Sequence, residues 1–581
     1  MTLSLSTPLS SHRRHLSLLI LAVLVLYLPA MWGSIVSIDD LAIMKFYGSD
    51  TLTFGEVLRP GGGYYYRPLI ALNYYLDFHL FGQNSKVLHL ENVLLHAGNA
   101  ALLFQLASRL LPAAAPRAPL LAALIFAVHP VNSEPVSWIA GRTDPLACLF
   151  ILAAAIFLVK ALEGGRMRHT LCCVLLMSAG VLAKETALLF VPGSLLLVYA
   201  WPLIQPGASA ELAKRQGRVL LVCYLSVGLA VAALFAYRAG QDHNVLSKFY
   251  ARSGFNVADG LFLSLQILGF YLKKMLVPWP LNFAVISLSG WYAIPGAAGL
   301  ALLLLAPKRN IYFVCLAIGV LFLLPAVFVG ALDLTWTVVA ERYLYLPSAF
   351  FAVAFAGGAH LTVQKLPQAK RALVSATLLI VAAFALATAH RTQVWRSNLA
   401  LFEDTVQKTP DFGMLRNELA VALAKEKRFA EAEKQLDIAA GLEISDLVQG
   451  LVRRNRMLIG VQGKPPEEAR RILKSDGRPL PAEETELLLI LRNHDYAAMW
   501  RAQDRKGKDL MASELLEINE ILFARTGNAH YLYTSGQLCI NLREKRKAAS
   551  LFARSYQAAR DGESYKLPAK KLAEKMAAEP L

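Results

Sequence analysis

Apolar runs of spanning or near-spanning length recur along the first 390 residues. They lie at 16–32, 90–111, 118–131, 144–162, 169–184, 186–204, 218–238, 292–306, 310–330, 343–363 and 371–390. A helix needs about 20 apolar residues to cross a hydrocarbon core. The eleven runs therefore predict an all-α, polytopic bundle over residues 1–390. From residue 391 the pattern changes to apolar positions at helical spacing among charged ones, which predicts a soluble α-helical domain over 391–581.

Charge placement supports this division. Of the 42 acidic residues, 15 precede residue 391 and 27 follow it. The hydrophobic fraction is 56% and the charged fraction 17%, which excludes a soluble enzyme of ordinary composition and a disordered chain. His12-Arg13-Arg14-His15 precedes the run Leu16 to Trp32, as in a signal peptide. The many later runs favour an uncleaved first helix with its N-terminus in the cytoplasm. Alternating the runs from there puts Arg117, Arg166 with Arg168, Lys214 with Arg215 and Arg218, Lys308 with Arg309, and Lys365 with Lys370 and Arg371 on the cytoplasmic side. That is the positive-inside pattern, and it accounts for most of the net charge of +17 without a nucleic-acid partner. The tail then lies outside. Residues 257–277 would invert every later cluster if they spanned, so they read as a non-spanning helix at the outer interface. The first outer loop, 34–88, is the longest; 131–143, 239–291 and 331–342 are the others of note.

Six cysteines form no CxxC and no zinc spacing. Cys148, Cys172, Cys173, Cys223 and Cys315 sit in apolar runs, and Cys539 stands alone in the tail. In the tail, Leu419, Ala420, Leu423, Phe429, Ala432, Leu436 and Ala439 fit tetratricopeptide (TPR) spacing, as do Gly536, Ala548, Phe552 and Ser555. Residues 445–527 between them read as degenerate helical repeats; a generic helical domain is the alternative.

The candidate chemistry lies in the outer loops. Asp39-Asp40, after the first run, suits general-base work or metal binding, or marks where the helix leaves the membrane. Gly61-Gly62-Gly63 leads into Tyr64-Tyr65-Tyr66-Arg67-Pro68-Leu69, either a flexible interfacial loop or a binder of phosphate or sugar. His89, Asn92, His96 and Asn99 share one helix face, for interhelical hydrogen bonds, cavity lining or a two-histidine metal site. His129-Pro130, Asn132, Glu134, Trp138 and Gly141-Arg142-Thr143-Asp144 crowd one short loop. Lys184-Glu185 and Glu341-Arg342-Tyr343-Leu344-Tyr345-Leu346-Pro347 complete the set. Arg67, Arg142, Lys184 and Arg342 thus reach the outer side from four segments. Cations there fit an anionic lipid phosphate. The competing reading is local ion pairing of Arg142 with Asp144, Lys184 with Glu185, and Arg342 with Glu341.

Asp39-Asp40 with Ala42-Ile43, Tyr66-Arg67-Pro68-Leu69, His89-x-x-Asn92-x-x-x-His96, His129-Pro130, Glu134, Gly141-Arg142-x-Asp144, Lys184-Glu185 and the Glu341–Pro347 segment occur in one order. In this the chain resembles the O-mannosyltransferase-type membrane enzymes with C-terminal TPRs, of the glycosyltransferase-C (GT-C) superfold. The short tail and the glycine run look more like a bacterial relative. The resemblance implies inverting transfer of mannose or another hexose from a polyprenyl-phosphate donor to an acceptor hydroxyl, of a protein or glycan, on the outer membrane face. It implies Asp39 as base, with Asp40 orienting the acceptor or exchanging roles with it. It implies Arg67, Arg142, Lys184 and Arg342 as holders of the donor phosphate. Tyr66, His89, Asn92, His96, His129, Glu134, Asp144, Glu185, Glu341 and Tyr343 would line the cavity. No DxD is present, so a metal-independent reaction without cofactor is expected, with a divalent metal as the alternative. The implied location is a bacterial inner membrane with the tail in the periplasm, or the endoplasmic reticulum membrane in a eukaryote. The tail would hold the acceptor. Two other readings are a non-enzymatic membrane TPR scaffold for envelope or secretion components, and a transporter or flippase for lipid-linked sugar.

Overall fold

The computed structural model of the chain describes residues 9–48, 52–58, 66–205, 207–241, 257–305, 310–332, 334–442, 445–461, 489, 492, 499, 505–559, 563 and 565–578. Gly61 to Tyr65, Lys308, Arg309 and most of 462–504 lie outside them. Residues 1–410 and 411–581 are two compact units.

The first unit opens with α1 (Leu9–Tyr27), α2 (Asp40–Tyr47), α3 (Phe54–Leu58), α4 (Pro68–Phe81), α5 (Ser85–Leu110) and α6 (Ala118–Val128). Then come α7 (Ser133–Ser137), α8 (Thr143–Gly164), α9 (Met167–Ala183), α10 (Phe190–Ile204), α11 (Ala210–Gln241) and α12 (Val257–Leu276). It ends with α13 (Ala293–Leu305), α14 (Ile311–Leu321), α15 (Leu324–Ala331), α16 (Tyr345–Lys365), α17 (Lys370–Val394) and α18 (Asn398–Lys408). Among the described residues the extended pairing is one isolated bridge, Val285 with Val339. Local signals set several boundaries. Asn84 Oδ1 caps α5 by accepting from Lys86 N at 3.1 Å, Pro68 opens α4 where its missing N–H costs nothing, and Gly165 ends α8 at φ 65°.

All eleven apolar runs fall on helices. Among the described residues, seven helical segments are long and apolar enough to cross a membrane: Arg13–Trp32, Ser85–Leu110, Ala140–Gly164, Glu185–Ile204, Ile311–Ala331, Glu341–Lys365 and Pro367–Val394. Ala118–Val128 and Pro130–Ser137, bent by 50°, make an eighth if counted as one span. The apolar helices Met167–Ala183 and Gly290–Leu305 are shorter. The chain is an integral membrane protein. α5, α6, α8 and α16 form the centre, where Ala107, Ala122, Ala123, Ala154 and Ala349 let the backbones approach and Leu103, Phe126, Leu152 and Val353 fill between them. Pro367–Val394 is the opposite case: 6% of its apolar window is buried in protein, as suits a helix surrounded by lipid. α12 packs on α13 and α15, burying Ile267, Phe270 and Tyr271 with Leu323, Leu344 and Phe351.

α18 belongs to this unit. Asn398 Nδ2 donates to Ile35 O at 2.9 Å, Ser34 N to Arg396 O at 3.0 Å, and Lys408 Nζ to Leu281 O at 2.7 Å. The segment after the last long helix is thus tied to the loop that carries Asp39 and Asp40.

The second unit holds α19 (Gly413–Lys425), α20 (Phe429–Ala440), α21 (Asp446–Val461), α22 (Arg505–Thr526), α23 (His530–Asn541), α24 (Lys545–Ala558) and α25 (Lys566–Ala578). α19–α20 and α23–α24 are two helix hairpins of one design. One offset of 116 residues separates Ala420 from Gly536, Ala432 from Ala548, and Leu436 from Phe552. The same offset relates the turn residues Lys427 and Arg543, at φ 62° and 63°. Gly536 is needed where it stands, since a Cβ there would meet the Phe552 ring at 2.7 Å.

Candidate active site

The polar residues singled out from the sequence lie at helix ends, after α1, before α5, after α6, before α8, after α9 and before α16, and hydrogen bonds and ion pairs join several of these ends. Arg117, Arg166, Arg168, Lys365, Lys370 and Arg371 lie at the other ends of these helices.

The two adjacent aspartates differ. Asp40 is fully buried at the start of α2. Its Oδ2 accepts from Val36 N and its Oδ1 from Ala140 N, both at 2.9 Å. It therefore pins its own loop to the turn before Arg142. Burial pushes its carboxyl up to about 7, against the pull of those two N–H donors. Asp39 is exposed. The protein around it still raises its carboxyl above the ordinary range by desolvation, while the charge of Arg342 lowers it.

Each of the four cations is paired, and in no case with its neighbour in sequence. Arg342 Nη1 donates to Glu134 Oε1 at 2.9 Å, Lys184 Nζ to Asp144 Oδ1 at 2.6 Å, and Arg67 to both oxygens of Glu185, Nε at 2.9 Å and Nη2 at 2.5 Å. Two of them lie against the Tyr343 ring, Lys184 Nζ at 5.4 Å and Arg342 Cζ at 5.2 Å from its centre. Arg342 also lies over Trp138, 5.4 Å from its ring centre.

Arg142 is enclosed by its partners. Its side chain has no exposed surface. Nε donates to Asn92 Oδ1 at 2.8 Å, Nη2 to Leu88 O at 2.7 Å, and Nη1 to Asn73 Oδ1 at 2.8 Å, and Nη1 also contacts Asp77 and, at 2.9 Å, Glu91. The Tyr74 ring centre lies 4.8 Å from its Cζ. A guanidinium so engaged has little left for a ligand, and it fastens α4, α5 and α8 together beneath the site. Burial and a hydrogen bond to Glu91 push Asp77 up to about 7, against the charge of Arg142. Gly141 lets this turn close, because a Cβ there would sit 2.8 Å from Pro135 Cα.

The polar face of α5 is wired between helices. Asn92 Nδ2 donates to Trp138 O at 2.7 Å. His96 pairs through Nδ1 with Tyr345 Oη at 2.7 Å and through Nε2 with Ala127 O at 3.1 Å. Asn99 Nδ2 reaches Pro145 O at 2.8 Å. These are the interhelical hydrogen bonds that the spacing allowed. His89 packs against Gly33. His129 Nε2 meets Met275 O at 3.2 Å, joining the end of α6 to the end of α12. Tyr66 Oη donates to Leu58 O at 3.0 Å, holding the segment before α4 against α3. Glu341 turns away from Arg342: its Oε1 contacts Lys274 and accepts from Asn282 N at 3.0 Å.

Asp39, Glu134, Arg342, Tyr343, Lys184, Asp144, Glu185 and Arg67 thus form one connected set, with Asp40 and Arg142 behind it. Asn73, Asp77, Glu91, Lys274 and Asn282 were not anticipated. A signal for Asp77 was available, as a lone acid in the apolar stretch 68–81. Lys274 showed only as the end of an apolar helix. Among the described residues no group of three or more His, Cys, Asp or Glu has a metal-holding arrangement.

Residues 67–236 match the dolichyl-phosphate-mannose-protein mannosyltransferase family. The match includes Arg67, His89, Glu134, Arg142, Asp144 and Lys184, whereas Asp39, Asp40 and Arg342 lie outside it. The chain is 28% identical over 402 residues to the protein O-mannosyl-transferase TMTC4 of Homo sapiens, covering 59% of this chain and 53% of that protein. It is 27% identical over 414 residues to the protein O-mannosyl-transferase TMTC1 of Homo sapiens, covering 63% and 47%. To TMTC3 of Mus musculus it is 25% identical over 419 residues, covering 66% and 45%. The chain spans about half the length of the relatives it matches. The matched segment and these relatives support an O-mannosyltransferase-like family for this membrane chain, which is similar to them over the regions stated.

Proposed function

We propose that the chain is an inverting GT-C glycosyltransferase. It moves a hexose, mannose first among the candidates, from a polyprenyl-phosphate donor to an acceptor hydroxyl on the outer face of the membrane. Asp39 takes the hydroxyl proton as the acceptor oxygen forms its bond to sugar C1. The bond from C1 to the phosphate oxygen breaks with its electron pair on the leaving polyprenyl phosphate. A phosphate leaves readily, so one base and a set of cations suffice.

The observation that carries this reading is the contrast between an open Asp39 within the field of Arg342 and an Asp40 locked to the backbone. It supports Asp39 as the base and Asp40 as its positioning residue. Arg342 and Arg67, whose side chains are 15% and 20% exposed, are the cations best placed to meet the donor phosphate. Lys184 backs them, and Arg142 shapes the site from behind. No step calls for a metal ion.

The second unit is our candidate holder for the acceptor. Two hairpins of TPR design favour an extended or helical peptide, hence a protein acceptor. The bacterial inner membrane, with this unit in the periplasm, is the proposed location. The test is glycan mass spectrometry of envelope proteins and lipid-linked glycans in a deletion strain and its parent. Loss of a protein-linked hexose, restored by the wild-type gene and not by Asp39→Asn, is expected. Full restoration by Asp39→Asn with loss on tail deletion would establish a scaffold instead.

A further inference from the structure

The Glu134–Arg342 and Asp144–Lys184 pairs share a feature that ion pairing leaves unexplained. In each, one carboxylate oxygen holds the cation. The other, Glu134 Oε2 or Asp144 Oδ2, has no hydrogen-bond partner among the described residues, although the residues are only 2% and 6% exposed. Buried carboxylate oxygens are almost always satisfied, because a bare one forfeits its hydration for nothing. The cations that these two acids hold both lie against one aromatic ring, Tyr343.

Carboxylate oxygens accept; they need O–H or N–H donors. The nearby cations already serve the other two oxygens. A single side-chain hydroxyl supplies one donor and leaves the second oxygen bare. A hexose supplies several hydroxyls on a rigid ring, and its C–H face suits the face of an aromatic ring. Resting on the glycosyl-transfer reading, we infer that Glu134 Oε2 and Asp144 Oδ2 accept hydrogen bonds from two hydroxyls of the sugar being transferred, beside the Tyr343 ring. The two carboxylates then select the sugar, and the cations that they hold serve the phosphate. Both acids lie within the matched segment, whereas the proposed base lies before it.

Glu134→Gln and Asp144→Asn test this in the full chain. Each amide keeps an oxygen for the paired cation and replaces the free acceptor with an N–H donor. Binding of polyprenyl phosphate and of mannosyl-phosphoryl-polyprenol is measured on the reconstituted protein. The variants are expected to hold polyprenyl phosphate within about twofold of wild type, and to lose about tenfold or more for the sugar-bearing lipid, the scale of one buried acceptor left unsatisfied. Equal weakening toward both lipids, or toward neither, overturns the inference. Monodeoxy-mannosyl donors on the wild-type chain give a readout independent of variant folding. At least two ring positions are expected to matter by about tenfold; no loss at any position overturns the inference and assigns the two oxygens to buried water. Transfer by the wild type, with these results negative, leaves the glycosyl-transfer reading standing. A wild type that binds neither lipid overturns both.

Discussion

Asp39 and Asp40 are consecutive in sequence and opposite in surroundings. Asp39 is exposed, and Asp40 is enclosed with its oxygens 2.9 Å from Val36 N and Ala140 N. Because Ala140 stands two residues before Arg142, Asp40 couples the loop after the first helix to the turn that anchors α4, α5 and α8.

Asp40→Asn replaces an acceptor oxygen with an amide N–H that faces a backbone donor. A cost of about 1–3 kcal/mol follows from an unsatisfied buried donor, to be read from thermal unfolding in detergent micelles. The pH dependence has a definite sign. The carboxyl of Asp40 lies at about 7 in the folded chain and near 3.8 when free. The folded state thus binds the proton more tightly, and this contribution to stability is full below roughly pH 4 and lost as pH rises through 7. The unfolding temperature of the wild type should fall over that window more than that of Asp40→Asn.

In the proposed mechanism, transfer needs Asp39 ionised. Its carboxyl is held above the ordinary range by desolvation and pulled back by Arg342. The acid limb of the rate–pH profile should therefore lie above the range of a solvated aspartate. Arg342→Gln removes the charge that favours ionisation, so the limb should move to higher pH in steady-state profiles.

Arg142→Ala leaves Asp77 and Glu91 without their counter-charge in a closed site. A loss of about 3–5 kcal/mol is expected for breaking a buried pair from one side. Arg142→Lys should recover only part of it, since one ammonium cannot reach Asn92, Leu88 O, Asn73 and Asp77 together. Thermal unfolding of the two variants, beside binding of polyprenyl phosphate to whatever remains folded, checks both.

The helices were legible because a membrane core imposes one length and one composition on each crossing. The α5 stripe was legible because i, i+3, i+7 and i+10 share a face in any helix. Partner choice was not. Arg142–Asp144, Lys184–Glu185 and Arg342–Glu341 are neighbours on paper, yet each cation pairs across the bundle, with Asp77, Asp144 and Glu134. At turns between helices, adjacent side chains diverge, and the nearest opposite charge comes from another segment. Glu341 shows this most plainly, since it bonds to Lys274 and Asn282 rather than to Arg342 beside it.

In the second unit, Gly536→Val should force the α23–α24 hairpin apart, because the Phe552 ring occupies the space a side chain would need. A cost of about 1–3 kcal/mol is typical of such overpacking. Limited proteolysis of the full chain should show faster cleavage within residues 530–558, with the first unit unaffected.

The most direct test is sugar transfer by the reconstituted chain, using mannosyl-phosphoryl-polyprenol and envelope protein as acceptor, with Asp39→Asn compared against wild type. The expected result is transfer by wild type, and loss of at least about a hundredfold in Asp39→Asn, the scale of a general base, with insertion and unfolding temperature unchanged. Undiminished transfer by Asp39→Asn would contradict the assignment of the base. Undiminished transfer by the double variant with Asp40→Asn would remove the aspartate pair from the chemistry altogether.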